Sequence, residues 1–471
     1  MEHTATLLPE DPDSFLGRRA VNERCYDVVV IGAGTAGLKA YKAATARNGD
    51  VAIVERGPGG STCTRVGCMP SKLLIAAART AHNVHRAHDF GITVGEISVN
   101  PARLWARVRA ERDRFVASVL EEYHAIPEDQ VIHGTARFAG PDTIIVGDDR
   151  IRAKRGIIIA TGARPIIPSL LDPVRDLVHT HETIFELNDL PVAMAVIGAG
   201  PLGLELAQAF ARLGVDVTVL DEGNSIGGLK DPATNSAAID ALEDEISIKL
   251  EVSVEASLTD DNRARLAWSD GEVVVDLVLA ATGRPPAIQD LNLDATGLTL
   301  DDHGTPLFDR SNHRCGDSNI FIVGDADAWR PVLHEAARGG GIAGDVAMGG
   351  IPPSILPAFA VAFTEPNLSE VGISFDSLPE DVQIGEAAVR DNGRAVADGE
   401  TQGLVRLYAE ADGKLIGASI VAPDGEHLAH LVSLAIDRGM NVADLADQRW
   451  YHPTIEELLQ SAARDVLKED K

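Results

Sequence analysis

Two cysteines five positions apart, Cys63 and Cys68, stand just ahead of an apolar helical run, Leu73 to Ala78, that is opened by Pro70. Proline in a first turn marks the start of a helix, so Cys68 is expected at a helix N-terminus. Unpaired N–H groups and the helix dipole favour a thiolate there, which makes Cys68 the more thiolate-like of the two. Four intervening residues can curl to bring the sulfurs within bonding distance, and the chemistry open to such a pair is reversible thiol–disulfide exchange. A metal site is disfavoured, because no second close pair supplies further thiolates. Cys25 and Cys315 stand alone. His82, His85 and His88 recur every three residues, and that step rotates gradually round a helix, so they are expected on a solvated face and not around a metal.

The elements that must position the pair show a repeat. Val28 to Ile31 reads as a buried strand, Gly32-Ala33-Gly34-Thr35-Ala36-Gly37 as a tight turn, the residues to about Arg47 as a helix, and Val51 to Glu55 as a second strand ending in an acid. The same order returns in Ala195 to Ile197, Gly198-Ala199-Gly200-Pro201-Leu202-Gly203, a helix to about Leu213, and Val217 to Asp221. Gly198 follows Gly32 by 166 residues, and Asp221 follows Glu55 by the same interval. Strand, glycine turn, helix, strand and acid, twice in register, predict two dinucleotide-binding folds. The turn lets backbone approach a pyrophosphate at the helix N-terminus, and each acid stands where a ribose diol would be held. An acid there repels a 2′-phosphate, so Asp221 followed by Glu222 favours NAD over NADP.

Each half is followed by an apolar strand ending in Thr-Gly, at Thr161-Gly162 and Thr282-Gly283, and a third related strand ends in Gly324-Asp325. Beyond Pro353 the glycine pattern stops and short strands alternate with helices near His427 to Arg438 and Thr454 to Leu467, as in a separate α+β domain. The balance of 42 Lys+Arg against 71 Asp+Glu gives a net charge of -29, which opposes binding to nucleic acid or an anionic membrane. The arginines from Arg103 to Arg114 read as the wet face of a helix. The first residues lack a signal peptide's basic start and apolar run, and no later segment has the length of a membrane span, so a cytoplasmic protein is expected.

In these motifs and their order the chain resembles the class I pyridine nucleotide-disulfide oxidoreductases, the family of dihydrolipoamide dehydrogenase, glutathione reductase and mercuric reductase. The resemblance runs from about Tyr26 to Leu467. It implies an α/β fold of two Rossmann-like dinucleotide-binding domains, for FAD and NAD, plus a C-terminal α+β dimerisation domain. After a polar extension over 1–24, these would occupy 25–165 and 285–350 for FAD, 166–284 for NAD, and 351–471 for dimerisation. Carried over residue by residue, Cys63 resembles the cysteine that exchanges with substrate and Cys68 the one that faces the flavin. Lys72 matches the lysine beside the flavin and Glu205 its carboxylate partner. Gly32, Gly34, Gly37, Glu55, Thr62, Gly134, Thr161, Gly162, Gly324 and Asp325 fall on the FAD side, and Gly198, Gly200, Gly203, Asp221 and Gly283 on the NAD side. Tyr451-His452-Pro453-Thr454-Ile455-Glu456-Glu457 is similar to the family's base motif, with His452 as acid/base and Glu457 orienting it. Thiol exchange needs such a group, since a thiol must lose its proton before it attacks. In this family that histidine comes from the second subunit, which implies a homodimer.

Three positions depart from the family pattern: Trp450 replaces a common histidine, Cys315 a threonine, and Pro285-Pro286-Ala287 the usual Arg-Pro-Asn. They bear on the substrate. The NAD preference points most directly to dihydrolipoamide dehydrogenase activity, with a lipoyl domain of a 2-oxoacid dehydrogenase or glycine cleavage complex as partner. The alternatives are reduction of another disulfide or of a metal ion, as in mercuric reductase, or a non-catalytic flavoprotein subunit that binds NAD.

Overall fold

Val28, Val29 and Val30 are wholly buried because the strand that carries them, Glu23–Ile31, lies in the middle of a sheet covered on both faces. In this computed structural model, which describes residues 23–468, five strands of that sheet run parallel. Their order is Val131–His133, Val51–Glu55, Glu23–Ile31, Asp149–Ile159 and Ile320–Ile322. Two antiparallel strands, Ala136–Gly140 and Thr143–Val146, continue from the first half of Asp149–Ile159. All but the last two residues of the polar extension expected at 1–24 lie outside the described residues. The first strand starts at Glu23 and not near Val28, because Glu23 to Tyr26 pair with Arg150 to Ala153 on the longer neighbour.

A second parallel sheet has the order Ser247–Lys249, Asp216–Leu220, Ala193–Ile197, Leu277–Ala280, Val178–His179. A small antiparallel sheet, Glu255–Leu258, Ala264–Trp268 and Gly271–Val275, packs beside it. The third large sheet is antiparallel, in the order Phe359–Ala362, Asn367–Gly372, Leu415–Ala422, Leu404–Ala409, Gln383–Ala388. Helix Glu457–Val466 lays Leu458, Leu459, Ala462, Ala463 and Val466 on it, a stripe at helical spacing. Each large side chain in that stripe contributes about 1.5–3 kcal/mol by burial. The helix starts three residues later than the sequence pattern indicated, because the Glu457 carboxylate accepts the Thr454 N–H at 3.0 Å and holds the preceding turn outside it.

The arginines on helix Pro101–His124 are not all on a wet face. Arg109 donates to the Leu187 carbonyl at 2.9 Å, and Arg112 pairs with Glu186, tying this helix to the segment between strands Val178–His179 and Ala193–Ile197 of the second sheet.

The second sheet's helix Pro232–Leu242 meets the third sheet through buried polar groups. Asp231 caps that helix and accepts Arg406 at 2.7 and 2.8 Å and the Tyr408 hydroxyl at 2.6 Å. Alongside, Ser419 donates to Glu370 at 2.5 Å and contacts Thr234 at 2.7 Å. Burial pushes the Glu370 carboxyl up to about 7, offset in part by the Ser419 bond and reinforced by Asp231. A carboxyl raised in the folded state stabilises below its unfolded value near 4.5 and loses that contribution as pH rises through about 7. Glu370→Gln is therefore expected to gain up to roughly 3 kcal/mol relative to the unaltered protein between pH 4.5 and pH 8. Urea unfolding of both proteins across that range checks it, and a difference that does not change with pH would refute it.

Candidate redox site and nucleotide cradles

Cys63 lies in a one-turn helix, Thr62–Arg65, whose cap Ser61 accepts the Cys63 N–H at 3.2 Å. The chain turns at Gly67, where a Cβ would stand 3.1 Å from the Cys63 Cα, and helix Cys68–His85 begins at once. This close return brings the two thiols into hydrogen-bond contact, both in the free form. The bond from Cys63 lowers the Cys68 thiol to about 7 against the opposing effect of burial, with Lys72 adding to the lowering. The Cys63 thiol is raised by the same bond and by burial. Cys63→Ala removes the donor, so the midpoint of iodoacetamide labelling at Cys68 is expected to move from about 7 toward the free-thiol value, roughly 8.5. An unmoved midpoint would show that Lys72 and the helix terminus carry the whole effect.

One turn along, Lys72 Nζ meets Glu205 Oε2 at 2.6 Å and lies 4.4 Å from the Phe363 ring centroid. Glu205 is 5% exposed, and its other oxygen accepts the Phe363 N–H at 2.9 Å. One carboxylate thus joins the cysteine helix, the helix Pro201–Arg212 of the second sheet, and the loop after the first strand of the third.

The two glycine turns are built alike. Glu55 accepts the Ala33 N–H at 2.6 Å and the Gly57 N–H at 2.7 Å, while Asp221 accepts those of Ala199 and Gly223, each at 2.6 Å. Gly32 and Gly198 have φ of +106° and +110°, and a Cβ on them would come within 2.4 and 2.5 Å of the carbonyls of Ala160 and Ala281. Their lack of a side chain therefore serves strand contact and backbone conformation. Gly37 and Gly203 pack against the Gly32 and Gly198 carbonyls in the same way. Gly34 and Gly200 are different: a Cβ on Gly34 would meet nothing nearer than 4.0 Å, and one on Gly200 nothing within 4 Å. These two leave room for a ligand at a helix start.

The loops after Thr161 and Thr282 are laced together. Ala287 donates to the Gly162 carbonyl at 2.8 Å, Arg164 to Pro285 at 3.1 Å, and Ile166 to Gly283 at 3.3 Å. The divergent Pro285-Pro286 segment forms this lacing. Gly134 donates to the Glu55 carbonyl at 2.9 Å beyond the first acid, and Asp325, after Gly324, pairs with Arg284.

Thr62, Cys63, Cys68, Lys72, Glu205 and Asp325 all line one cavity of about 520 Å³. His452 and Glu457 line another, with His452 Nδ1 3.1 Å from both Glu457 oxygens and its ring 77% exposed. The bond to Thr454 and then His452 hold the Glu457 carboxyl below its usual range. Within one chain the cysteines and His452 thus line two separate cavities.

Sequence reasoning missed Arg284, His181 and Phe363 on the cysteine cavity. Arg284 was within reach, as it follows Thr282-Gly283; the other two carried no motif. Buried polar atoms without a partner, Thr161 Oγ1, His181 Nε2 and Arg284 Nε, belong to or adjoin its wall. With the open Gly34 turn and Lys72, they fit a flavin dinucleotide.

Two dinucleotide-type sheets followed by an antiparallel sheet define the class of flavoprotein disulfide oxidoreductases. Residues 26–341 match the family model described as pyridine nucleotide-disulphide oxidoreductase, and 358–463 match its dimerisation domain. The chain belongs to the class I pyridine nucleotide-disulfide oxidoreductase family, which implies FAD and a pyridine nucleotide. It is 34% identical to a mercuric reductase of Shigella flexneri, over 94% of this chain and 81% of that one. It is 32% identical to a dihydrolipoyl dehydrogenase of Halobacterium salinarum, over 94% and 96%. Among solved structures, the Cu(II) complex of the HOCl-induced flavoprotein disulfide reductase RclA from Escherichia coli superposes with a TM-score of 0.80. At 24% identity, over 94% of this chain and 99% of that one, it shows the shared fold alone. Among the described residues no helix is long and apolar enough to cross a membrane.

Proposed function

We propose that the protein is a cytoplasmic, homodimeric dihydrolipoyl dehydrogenase-like enzyme that oxidises a dithiol and passes its electrons to NAD. The observation that carries this reading is the thiol pair at the start of helix Cys68–His85, beside the Lys72–Glu205 ion pair, in a cavity walled by both dinucleotide-type domains. When bound, FAD supplies the two-electron relay between the thiols and the pyridine nucleotide.

In the oxidised state Cys63 and Cys68 share a disulfide. A substrate thiolate attacks Cys63, the Cys63–Cys68 bond breaks, and Cys68 leaves as a thiolate favoured by the helix N-terminus and Lys72. The second substrate thiol then attacks the mixed disulfide, releases Cys63, and closes the substrate disulfide. His452 of the second subunit, oriented by Glu457, takes the substrate's proton. The substrate loses two electrons, and the cysteine pair gains them.

Asp221 and Glu222 support NAD, since carboxylates there repel a 2′-phosphate. NADH is expected to exceed NADPH by at least tenfold in kcat/KM, as for loss of one charged contact. Steady-state assays with lipoamide and both nucleotides test this, and faster turnover with NADPH would overturn it. A lipoyl domain of a 2-oxoacid dehydrogenase or glycine cleavage complex is the natural carrier of the dithiol. The 34% identity with a mercuric reductase favours a second reading, reduction of a metal ion. The same assay separates them: NADH oxidation driven by lipoamide but not by Hg²⁺ supports the first, and the reverse supports the second.

A further inference from the structure

His181 stands in the segment that follows strand Val178–His179 at the edge of the second sheet, yet it lines the cavity of Cys63 and Cys68. The residue is 4% exposed, and its Nε2 is buried without a hydrogen-bond partner. Arg284, on the same wall, leaves its Nε unpartnered while it pairs with Asp325. Three segments far apart in sequence therefore bring an imidazole, a guanidinium and a carboxylate to one wall. Leaving buried polar atoms unpaired is costly, so unpaired nitrogens on two residues that line one cavity are suited to a ligand that pairs with them.

Burial, and then the charge of Arg284, press the His181 imidazole down to about 4. It is thus neutral at working pH, with each nitrogen a single donor or acceptor according to tautomer. A neutral imidazole beside the fixed charges of Arg284 and Asp325 suits a neutral polar group, a hydroxyl or a ring carbonyl, and not a phosphate. Flavin carries both groups, while its pyrophosphate belongs at the Gly34 turn.

We propose that His181, a residue of the pyridine-nucleotide half of the molecule, is a ligand of the flavin, its Nε2 hydrogen-bonded to a neutral polar group of the isoalloxazine or ribityl portion. The assignment rests on the FAD cofactor that family membership implies. It makes flavin affinity depend on a side chain carried by the other nucleotide domain.

The test uses full-length protein stripped of flavin and titrated with FAD by flavin fluorescence, so no turnover is needed. His181→Leu removes the hydrogen bond at similar bulk and is expected to raise the FAD dissociation constant about fivefold to tenfold. His181→Ser, which cannot reach and cannot clash, is expected to match it. His181→Gln, which keeps a polar end, stays within about threefold of the unaltered protein, the low end of one hydrogen bond. Affinity within twofold of the unaltered protein in both Leu and Ser variants overturns the proposal, as does weakening by Leu alone, which would be a packing effect. If the unaltered protein fails to bind FAD, the cofactor reading itself has failed, and that result is distinct from either. Melting curves of the flavin-free variants establish that each is folded.

Discussion

Cys63→Ser is expected to lower dithiol-dependent NAD reduction by roughly three orders of magnitude or more, because the substituted oxygen cannot form the disulfide that exchange requires. The fold should be unaffected. Cys63 sits in a one-turn helix held by the Ser61 cap, and serine is close in size. The informative contrast lies in what remains. A serine hydroxyl can still donate to Cys68, so in Cys63→Ser the remaining thiol should keep its midpoint near 7 and label quickly with iodoacetamide at neutral pH. In Cys68→Ser the surviving Cys63 loses its thiol partner but remains partly buried, and it should label slowly. Both variants should be dead in turnover while differing in labelling rate by about tenfold. Turnover above a few per cent in Cys63→Ser would mean that the substrate reaches the other sulfur, and the roles would have to be exchanged.

The parts of this site that sequence exposes are those that local backbone geometry demands. Gly32 and Gly198 are readable because no other residue tolerates both their positive φ and the carbonyl within 2.5 Å. Glu55 and Asp221 are readable because each must reach back to its own glycine turn, a contact of 22 residues that recurs. The helix start at Cys68 follows from Pro70. The Lys72–Glu205 pair spans 133 residues, and family resemblance, not periodicity, foretold it. His181 and Phe363 were invisible for a related reason: each is placed by a domain-to-domain contact that leaves no local pattern. The arginines on helix Pro101–His124 show the converse. Charge spacing indicated solvent, whereas Arg109 and Arg112 reach polar groups on a neighbouring segment that the sequence could not bring into view.

The second large effect concerns the site that we propose is divided between subunits. His452 is held by Glu457 through Nδ1 at 3.1 Å, which turns Nε2 outward from a ring that is 77% exposed. Its cavity is lined by Arg390, Asp391 and Asn392, while the cysteines line another. Neighbouring Tyr451 is likewise 84% exposed. The dimerisation domain match over residues 358–463 includes both. If His452 serves the cysteines of the other chain, His452→Ala should lose about a hundredfold to ten-thousandfold in turnover, the range for a positioned acid/base. It should also complement Cys63→Ser. After subunits of the two variants are dissociated and recombined in equal amounts, half the dimers are mixed, and each mixed dimer contains one site with Cys63 and His452 both intact. Activity should therefore recover to about a quarter of the unaltered enzyme in a twofold-symmetric dimer. A histidine acting on its own chain gives a different result, because every site in the mixed dimer then carries one defect and no activity returns. Recovery thus depends on which chain supplies the base and not on how much each variant has lost.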